Sequence, residues 1–144
     1  MYAALRALPV PEEPVARLWH AATLLREHRG DGHVAALVSE GIGGTEAHVL
    51  HALAEGIYPA ETFGRIHHLP AEQIAAVIDG MRGRGLIGED GWLTDEGRGA
   101  KQRVEDRTDD LAAVPYEVLE PVELDDLMAS LEPLAALLLA AQDW

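Results

Sequence analysis

The sequence has 144 residues, 48% of them hydrophobic, and a formal net charge of −14. This length and apolar content predict a globular domain that buries a core, and they exclude a disordered chain. The charge argues against binding to an anionic membrane and against a molecule that is basic over its whole surface. More than half of the acidic residues lie in residues 95–144, so a locally basic face elsewhere stays compatible with the composition.

Cysteine is absent, which excludes disulfides and thiolate chemistry and predicts a reducing, cytoplasmic location. The N-terminal residues lack the apolar core and cleavage site of a signal peptide. The longest apolar run, Leu134–Ala141, is too short to cross a bilayer. We therefore expect no membrane partner.

Three prolines near the N-terminus predict that residues 1–14 form an extended arm. After this arm, apolar residues recur at intervals of three and four, which predicts a first helix. The segment Gly30–Gly32 is predicted to end this helix, and Asp31 to cap a second helix from His33 to about Glu40.

A third helix is predicted after the glycine-rich residues 41–44, with Thr45 as its N-cap. Its apolar inner face consists of Val49, Leu50 and Leu53. A short helix is then predicted from Glu61 to about His67.

The next helix is predicted to open at Pro70, because the missing N–H of proline costs nothing in the first turn. Gly85 is predicted to end this helix in a left-handed conformation. The predicted buried face consists of Ile74, Val77, Ile78 and Met81.

Two short apolar segments, Leu86–Ile87 and Trp92–Thr94, flank a turn of Gly, Glu and Asp and predict a β-hairpin. Thr94 is also predicted to cap a long helix from Asp95 to about Ala112.

Pro115 is predicted to end that helix, and residues 117–142 to be helical. This last segment carries a leucine stripe of Leu124, Leu127, Leu131, Leu134, Leu137 and Leu138. The order of the elements is typical of a single winged helix-turn-helix domain over residues 15–144, which ends in dimerisation helices. The alternative is a generic helical bundle with an incidental hairpin.

Two stretches resemble known families. The segment Leu86–Gly97 resembles the MarR pattern GL(I/V)…LT-x-x-G at the wing and the following helix. The segment Leu18–His33, which contains the run LREHRGDGH, resembles the signature of an actinobacterial helix-turn-helix family distantly related to MarR. This likeness continues through Glu46–Leu50 and Thr108–Ala112.

The resemblance implies a mostly α-helical, MarR-like winged helix-turn-helix fold with a small β-hairpin, and the function of a transcriptional regulator or a degenerate relative of one. Members of the family are usually longer, and this chain matches their C-terminal half. In MarR-like proteins the first and last helices form the dimer, so the resemblance implies a homodimer. The alternative is that the leucine stripe covers a missing N-terminal half.

A winged fold makes Pro70–Arg84 the recognition helix and double-stranded DNA the partner. The candidate DNA-binding residues are Arg65, Gln73, Arg82 and Arg84. Glu72 and Asp79 lie on the same helix and repel phosphates, and the predicted wing tip, Glu89–Asp90, is acidic as well. The composition slightly favours the competing interpretation that these charges form an ordinary solvated surface.

The densest polar segment is predicted to bind a small anionic ligand through Arg26, Glu27, His28, Arg29, Asp31 and His33. The arginines and the N–H groups at the start of the predicted second helix suit a carboxylate or a phosphate. His33 is predicted to be neutral, because the dipole of that helix disfavours its protonated form. The competing interpretation is a structural corner in which Asp31, Glu27 or Glu46 pairs with an arginine.

No catalytic residue, cofactor or metal site is predicted. His48 and His51 could share a metal with His33 or Glu46, but without cysteines or an H-E-x-x-H pattern a surface role is preferred. The leading hypothesis is therefore a regulator that senses a small anion. The alternatives are an enzyme or small-molecule carrier on a winged-helix scaffold, and an interaction module that docks through the leucine stripe.

Overall fold

The computed structural model describes residues 1–57, 59–60 and 69–141. The chain consists of two compact units, Met1–Ala112 and Ala113–Trp144. The short helix predicted from Glu61 to about His67 lies outside the described residues.

Six α-helices and one short 3-10 helix account for most of the described residues. The α-helices are α1 (Tyr2–Arg6), α2 (Pro14–Ser39), α3 (Gly44–Ala54), α4 (Ala71–Gly83), α5 (Asp95–Ala113) and α6 (Pro121–Ala140), and the 3-10 helix is Val114–Tyr116. The prediction of a mostly helical chain is confirmed.

Helix α1 lies within residues 1–14, where the sequence predicted an extended arm. Its residues include alanine, leucine and arginine, which are strong helix formers, and the prolines begin only after it. Glu13 then caps α2, because its carboxylate accepts the N–H of Ala16 at 2.7 Å.

Helix α2 is continuous, so the prediction that Gly30–Gly32 ends a first helix is wrong. Glycine disfavours a helix interior by only about 1 kcal/mol, and tertiary packing overrides so small a local cost. At Gly32 that packing is visible, since an added Cβ would lie 3.1 Å from the Cβ of Leu111 on α5. Gly32 therefore allows the two helices to approach closely.

The buried faces of α3 and α4 match the predicted periodicity. Val49, Leu50 and Leu53 of α3 are buried, as are Ile74, Ile78 and Met81 of α4, and Val77 is partly buried against them. The predicted N-cap of α3 was wrong by two residues: Gly43 occupies that position, and its N–H donates to Glu46 at 2.8 Å.

The hydrophobic core lies in the first unit and draws on α2 to α5 and the loop before α5. Its buried apolar residues are Ala36, Leu37, Ile42, Val49, Leu50, Ala52, Leu53, Ala60, Ile74, Ile78, Met81, Leu86, Ile87, Leu93, Ala100 and Val104. The first half of α2 contributes no residue to this core among the described positions.

The predicted β-hairpin is reduced to a single antiparallel bridge between Ile87 and Leu93, with no longer strand among the described residues. The N–H of Gly88 donates to the carbonyl of Trp92 at 2.8 Å within this loop. Gly85, with φ +74°, directly precedes the loop, and α5 begins at Asp95 directly after it. The structure thus places a tight loop where the sequence predicted a wing.

Thr94 and Gly97 join this loop to α5. The Thr94 hydroxyl donates to the carbonyl of Gly85 at 2.6 Å and accepts the N–H of Gly97 at 3.0 Å, which confirms Thr94 as a cap. An added Cβ on Gly97 would overlap the carbonyl oxygen of Leu86 and lie 3.2 Å from Cδ2 of Leu93. Only glycine therefore fits at this position.

The second unit contains the 3-10 helix around Pro115 and α6. Proline at 115 ends the regular α-helix as predicted, whereas α6 begins at Pro121 rather than near Glu117. No described residue of α6 is buried, and its leucine stripe is exposed apart from the half-buried Leu124.

Replacing Gly97 by alanine tests the junction between the loop and α5. We expect Gly97→Ala to lower the free energy of unfolding by about 1–3 kcal/mol or more, because the added methyl meets a backbone carbonyl that cannot rotate away. Urea denaturation followed by circular dichroism measures the change.

Gly99→Ala is the matched control on the same helix. An added Cβ there meets only the flexible end of Arg103, at 3.3 Å, so this variant should equal or exceed the wild type in stability. Equal stabilities for the two variants would show that the loop carbonyl does not press on Gly97.

Candidate functional site

Helix α4 presents to solvent a face of mostly alanine and glycine, on which the polar side chains are Glu72, Gln73 and Asp79. Its apolar face packs in the core, whereas its exposed positions are Ala71, Glu72, Gln73, Ala75, Ala76, Asp79, Gly80 and Gly83. The stretch predicted to read DNA is therefore accessible along most of its length. Its charged exposed side chains, Glu72 and Asp79, are both acidic.

Of the four predicted DNA-binding residues, Gln73 and Arg82 lie on α4. Gln73 is exposed and lies in the first turn of the helix. Arg82 is half-buried, with its guanidinium 3.5 Å from the Asp79 carboxylate. Arg65 lies outside the described residues.

The fourth predicted DNA-binding residue, Arg84, is engaged inside the domain. Its guanidinium donates to the carbonyl of Gly41 at 2.7 Å and to the Glu46 carboxylate at 2.6 Å. These two bonds tie the C-terminal end of α4 to the turn between α2 and α3 and to the first turn of α3. Arg84 therefore fixes the orientation of α4, a role that the sequence analysis did not foresee.

The arginines of the predicted ligand cluster point to different partners. Arg26 is exposed and pairs with the neighbouring Glu27. Arg29 instead reaches α5, where its guanidinium lies 3.6 Å from Glu105 and 3.9 Å from Asp109. The Arg29 partners are thus more than 70 residues away in sequence, and neither was among the predicted ones.

Asp31 and His28 contact the N-terminal segment. Asp31 accepts the amino group of Met1 at 3.0 Å and the N–H of Tyr2 at 3.1 Å, and the first of these bonds lowers the pKa of the Asp31 carboxyl. The His28 ring meets that of Tyr2 edge to face at 5.0 Å, and its Nδ1 is buried without a hydrogen bond to the described residues. The structure therefore does not gather the six cluster residues around one point.

His33 lies in the interior of α2, so the prediction that it occupies the first turn of a helix is wrong, as is the anion site built on N–H groups there. Its Nδ1 is 3.0 Å from the hydroxyl of Thr108, which itself donates to the Val104 carbonyl at 2.7 Å. Because that hydroxyl has a single proton, it must accept from Nδ1–H of His33. In the neutral ring this tautomer places the acceptor lone pair of His33 on Nε2.

His33 also lines a pocket of about 430 Å³ between α2, α3 and α5. The other lining residues are Leu37, Gly44, Ala47, His48, Leu50, His51, Lys101, Val104 and Glu105. Lys101 donates to Glu105, and this bond lowers the pKa of the Glu105 carboxyl. Three histidines share this pocket, yet no group of metal-binding residues is found among the described residues.

A network around Glu40 joins the end of α2 to α5 and was missed by the sequence analysis. The half-buried Glu40 carboxylate accepts from Arg103 at 2.8 Å and lies 3.0 Å from Arg107, which also bonds to the Ser39 hydroxyl. The Arg103 bond lowers the pKa of the Glu40 carboxyl, and the same contact raises the pKa of Arg103. A carboxylate 63 residues from its arginine gives no local sequence signal.

The comparison with protein families matches residues 1–144 to a helix-turn-helix family. Since the match covers the whole chain, the chain belongs to that family. In such folds the second of two paired helices reads DNA. Here α3 ends at Ala54 and α4 begins at Ala71. The searches of curated proteins and of solved structures gave no match.

The described helices were also compared with the requirements of a membrane span. None of them has the length and apolarity to cross a bilayer.

Glu40→Gln tests the network by its pH dependence. A carboxylate whose pKa is lowered on folding stabilises the fold above its ordinary pKa, and the benefit is lost as pH falls through the folded value. We therefore expect Glu40→Gln to lower the melting temperature at neutral pH and to approach the wild type as pH falls through and below the ordinary carboxyl range. Thermal unfolding of the wild type and of Glu40→Gln, from neutral to acidic pH, measures both melting temperatures.

Glu89→Gln is the control, because Glu89 is an exposed glutamate in the loop before α5. Its melting temperature should follow the wild type at every pH. A difference for Glu40→Gln that persists unchanged at low pH would mean that packing, and not the charge on Glu40, carries the effect.

Proposed function

We propose that the chain is a DNA-binding transcriptional regulator of MarR-like type, in which α4 enters the major groove of double-stranded DNA. The observation that carries this proposal is the position of α4. It follows α3 in a chain of the helix-turn-helix family, its apolar face is buried, and its opposite face, which carries Gln73, is exposed. The loop around the Ile87–Leu93 bridge takes the place of the wing in this proposal.

Gln73 is the base-reading residue of the proposal, because an exposed glutamine near the start of a recognition helix can bond to the edge of adenine. Arg82 supplies a phosphate contact, with Arg65 as a further candidate outside the described residues. Arg84 acts indirectly, since its bonds to Gly41 and Glu46 hold α4 in place.

The acidic residues Glu72 and Asp79 set a limit on affinity. Few phosphates are neutralised, so we expect the logarithm of the binding constant to fall with the logarithm of salt concentration with a slope of only about −1 to −2 per protomer. Specificity then depends mainly on base contacts and on the shape of the DNA.

We propose a homodimer as the binding unit, with the exposed leucine stripe of α6 as the surface that a second copy covers. Leu127, Leu131, Leu134 and Leu138 recur at intervals of three and four on this helix. Equilibrium ultracentrifugation tests this, and a monomer at the concentrations used for DNA binding would exclude it.

Ligand sensing at the Arg26–His33 segment stays part of the proposal, and His33 of that segment lines the pocket between α2, α3 and α5.

Selection from a random-sequence duplex pool at low salt tests the DNA proposal. We expect enrichment of a specific sequence, and we expect Gln73→Ala to weaken binding of that sequence by about tenfold while random duplex is bound as before. Glu72→Gln should strengthen binding to both duplexes, because it removes a negative charge that faces the phosphates. Fluorescence anisotropy measures the affinities.

Glu12→Gln is the matched control, since it changes the net charge by the same amount at an exposed position before α2. It should leave both affinities unchanged. If no sequence is enriched, and if Glu72→Gln and Glu12→Gln behave alike, α4 is not a DNA-reading helix.

A further inference from the structure

Gly32 and Gly97 lie where internal packing requires glycine, whereas Gly80 of α4 has no such reason among the described residues. An added Cβ would overlap the Leu86 carbonyl at Gly97 and would lie 3.1 Å from the Leu111 Cβ at Gly32. At Gly80 an added Cβ would meet no described atom within 4 Å. Packing within the described chain therefore does not explain why this position lacks a side chain.

Gly80 also lies in the interior of a helix, where glycine is unfavourable. Helix α4 runs from Ala71 to Gly83, and Gly80 is exposed three residues before its end. Glycine is the least favourable residue in a helix interior after proline, and alanine is the most favourable. Since alanine would fit and would stabilise α4, glycine here lowers stability with no gain in packing. Such a residue is expected where function requires a close approach of the backbone.

Gly80 lies on the same side of α4 as Gln73, the proposed base-reading residue. The two are seven residues apart, which is close to two helical turns, and Ala76 is one turn from each. All three are exposed. The acidic residues Glu72 and Asp79 are also seven residues apart, and they lie about 100° further round the helix. The exposed surface of α4 thus has an uncharged side and an acidic side.

The uncharged side of α4 matches the dimensions of a DNA major groove. At a rise of about 1.5 Å per residue, Gly80 is about 10 Å along the helix axis from Gln73. The major groove is about 12 Å wide, so a helix that contacts a base edge in its first turn reaches the sugar–phosphate wall about two turns later. A side chain at that point would hold the helix away from the wall, whereas glycine lets the backbone lie against it.

We propose that Gly80 is the position at which α4 lies closest to the sugar–phosphate backbone of bound DNA. In this orientation the side that carries Gln73 and Gly80 faces into the major groove, and the acidic side is turned away from the bases. The inference rests on the proposed DNA-binding function and adds to it the orientation of α4 in the groove. Gly80 is a positioning residue, because it acts by letting Gln73 reach its base.

The test compares stability and DNA affinity in variants of Gly80. We expect Gly80→Ala to raise the melting temperature by about 2–4 °C, because alanine favours the helix and meets open space. The same variant should bind the duplex selected with the wild type about tenfold more weakly. Gly80→Leu should bind it more weakly still, because a larger side chain holds the helix further from the wall. Circular dichroism measures melting, and fluorescence anisotropy measures binding.

Gly30→Ala is the matched control. Gly30 lies inside α2, and an added Cβ there likewise meets no described atom within 4 Å. This variant should gain a similar amount of stability and should bind the selected duplex as tightly as the wild type does.

The outcomes separate this inference from the proposed function. If the wild type binds no duplex at low salt, both are wrong. If the wild type binds and Gly80→Ala binds equally well, only the inference about Gly80 is overturned. Equal losses for Gly80→Ala and Gly80→Leu would also overturn it, because they would assign the effect to backbone freedom and not to side-chain size. A loss of the same size for Gly30→Ala would have the same consequence.

Discussion

The contact between Gly97 and the carbonyl of Leu86 is the constraint on which the position of α4 depends. The Leu86 carbonyl also accepts the N–H of Thr94 at 3.1 Å, and the Leu86 N–H donates to Met81 at the end of α4. The Thr94 hydroxyl closes the same junction through Gly85. The end of α4, the loop and the start of α5 are therefore in contact within a few residues. These contacts determine which face of α4 points outward.

Arginine serves mainly internal contacts in this acidic molecule. Arg84 binds Glu46, Arg29 lies near Glu105, and Arg103 and Arg107 converge on Glu40. These long-range pairs hold α2, α3 and α5 in register, and they leave few cations for the exposed face of α4. A regulator built this way must gain its selectivity from base contacts and DNA shape more than from phosphate neutralisation.

The sequence predicted what depends on local periodicity and local backbone geometry. The buried faces of α3 and α4, the left-handed Gly85 and the Thr94 cap follow from spacing and residue type, and all of them are confirmed. The prediction from sequence failed where tertiary contacts determine the backbone conformation or the partner of a side chain. Gly32 stays helical because α5 passes close to it, and Arg29 turns to Glu105 instead of Asp31.

The difference between the predicted wing and the observed loop lies at the junction with α5. The sequence predicted two paired segments, whereas the structure has the single Ile87–Leu93 bridge and the hydrogen bond from Gly88 to Trp92. The Thr94 hydroxyl accepts the N–H of Gly97 directly after this bridge, and the carbonyl of Leu86 leaves no room for a side chain at Gly97. The loop is therefore held to the first turn of α5 by contacts that depend on glycine at 97.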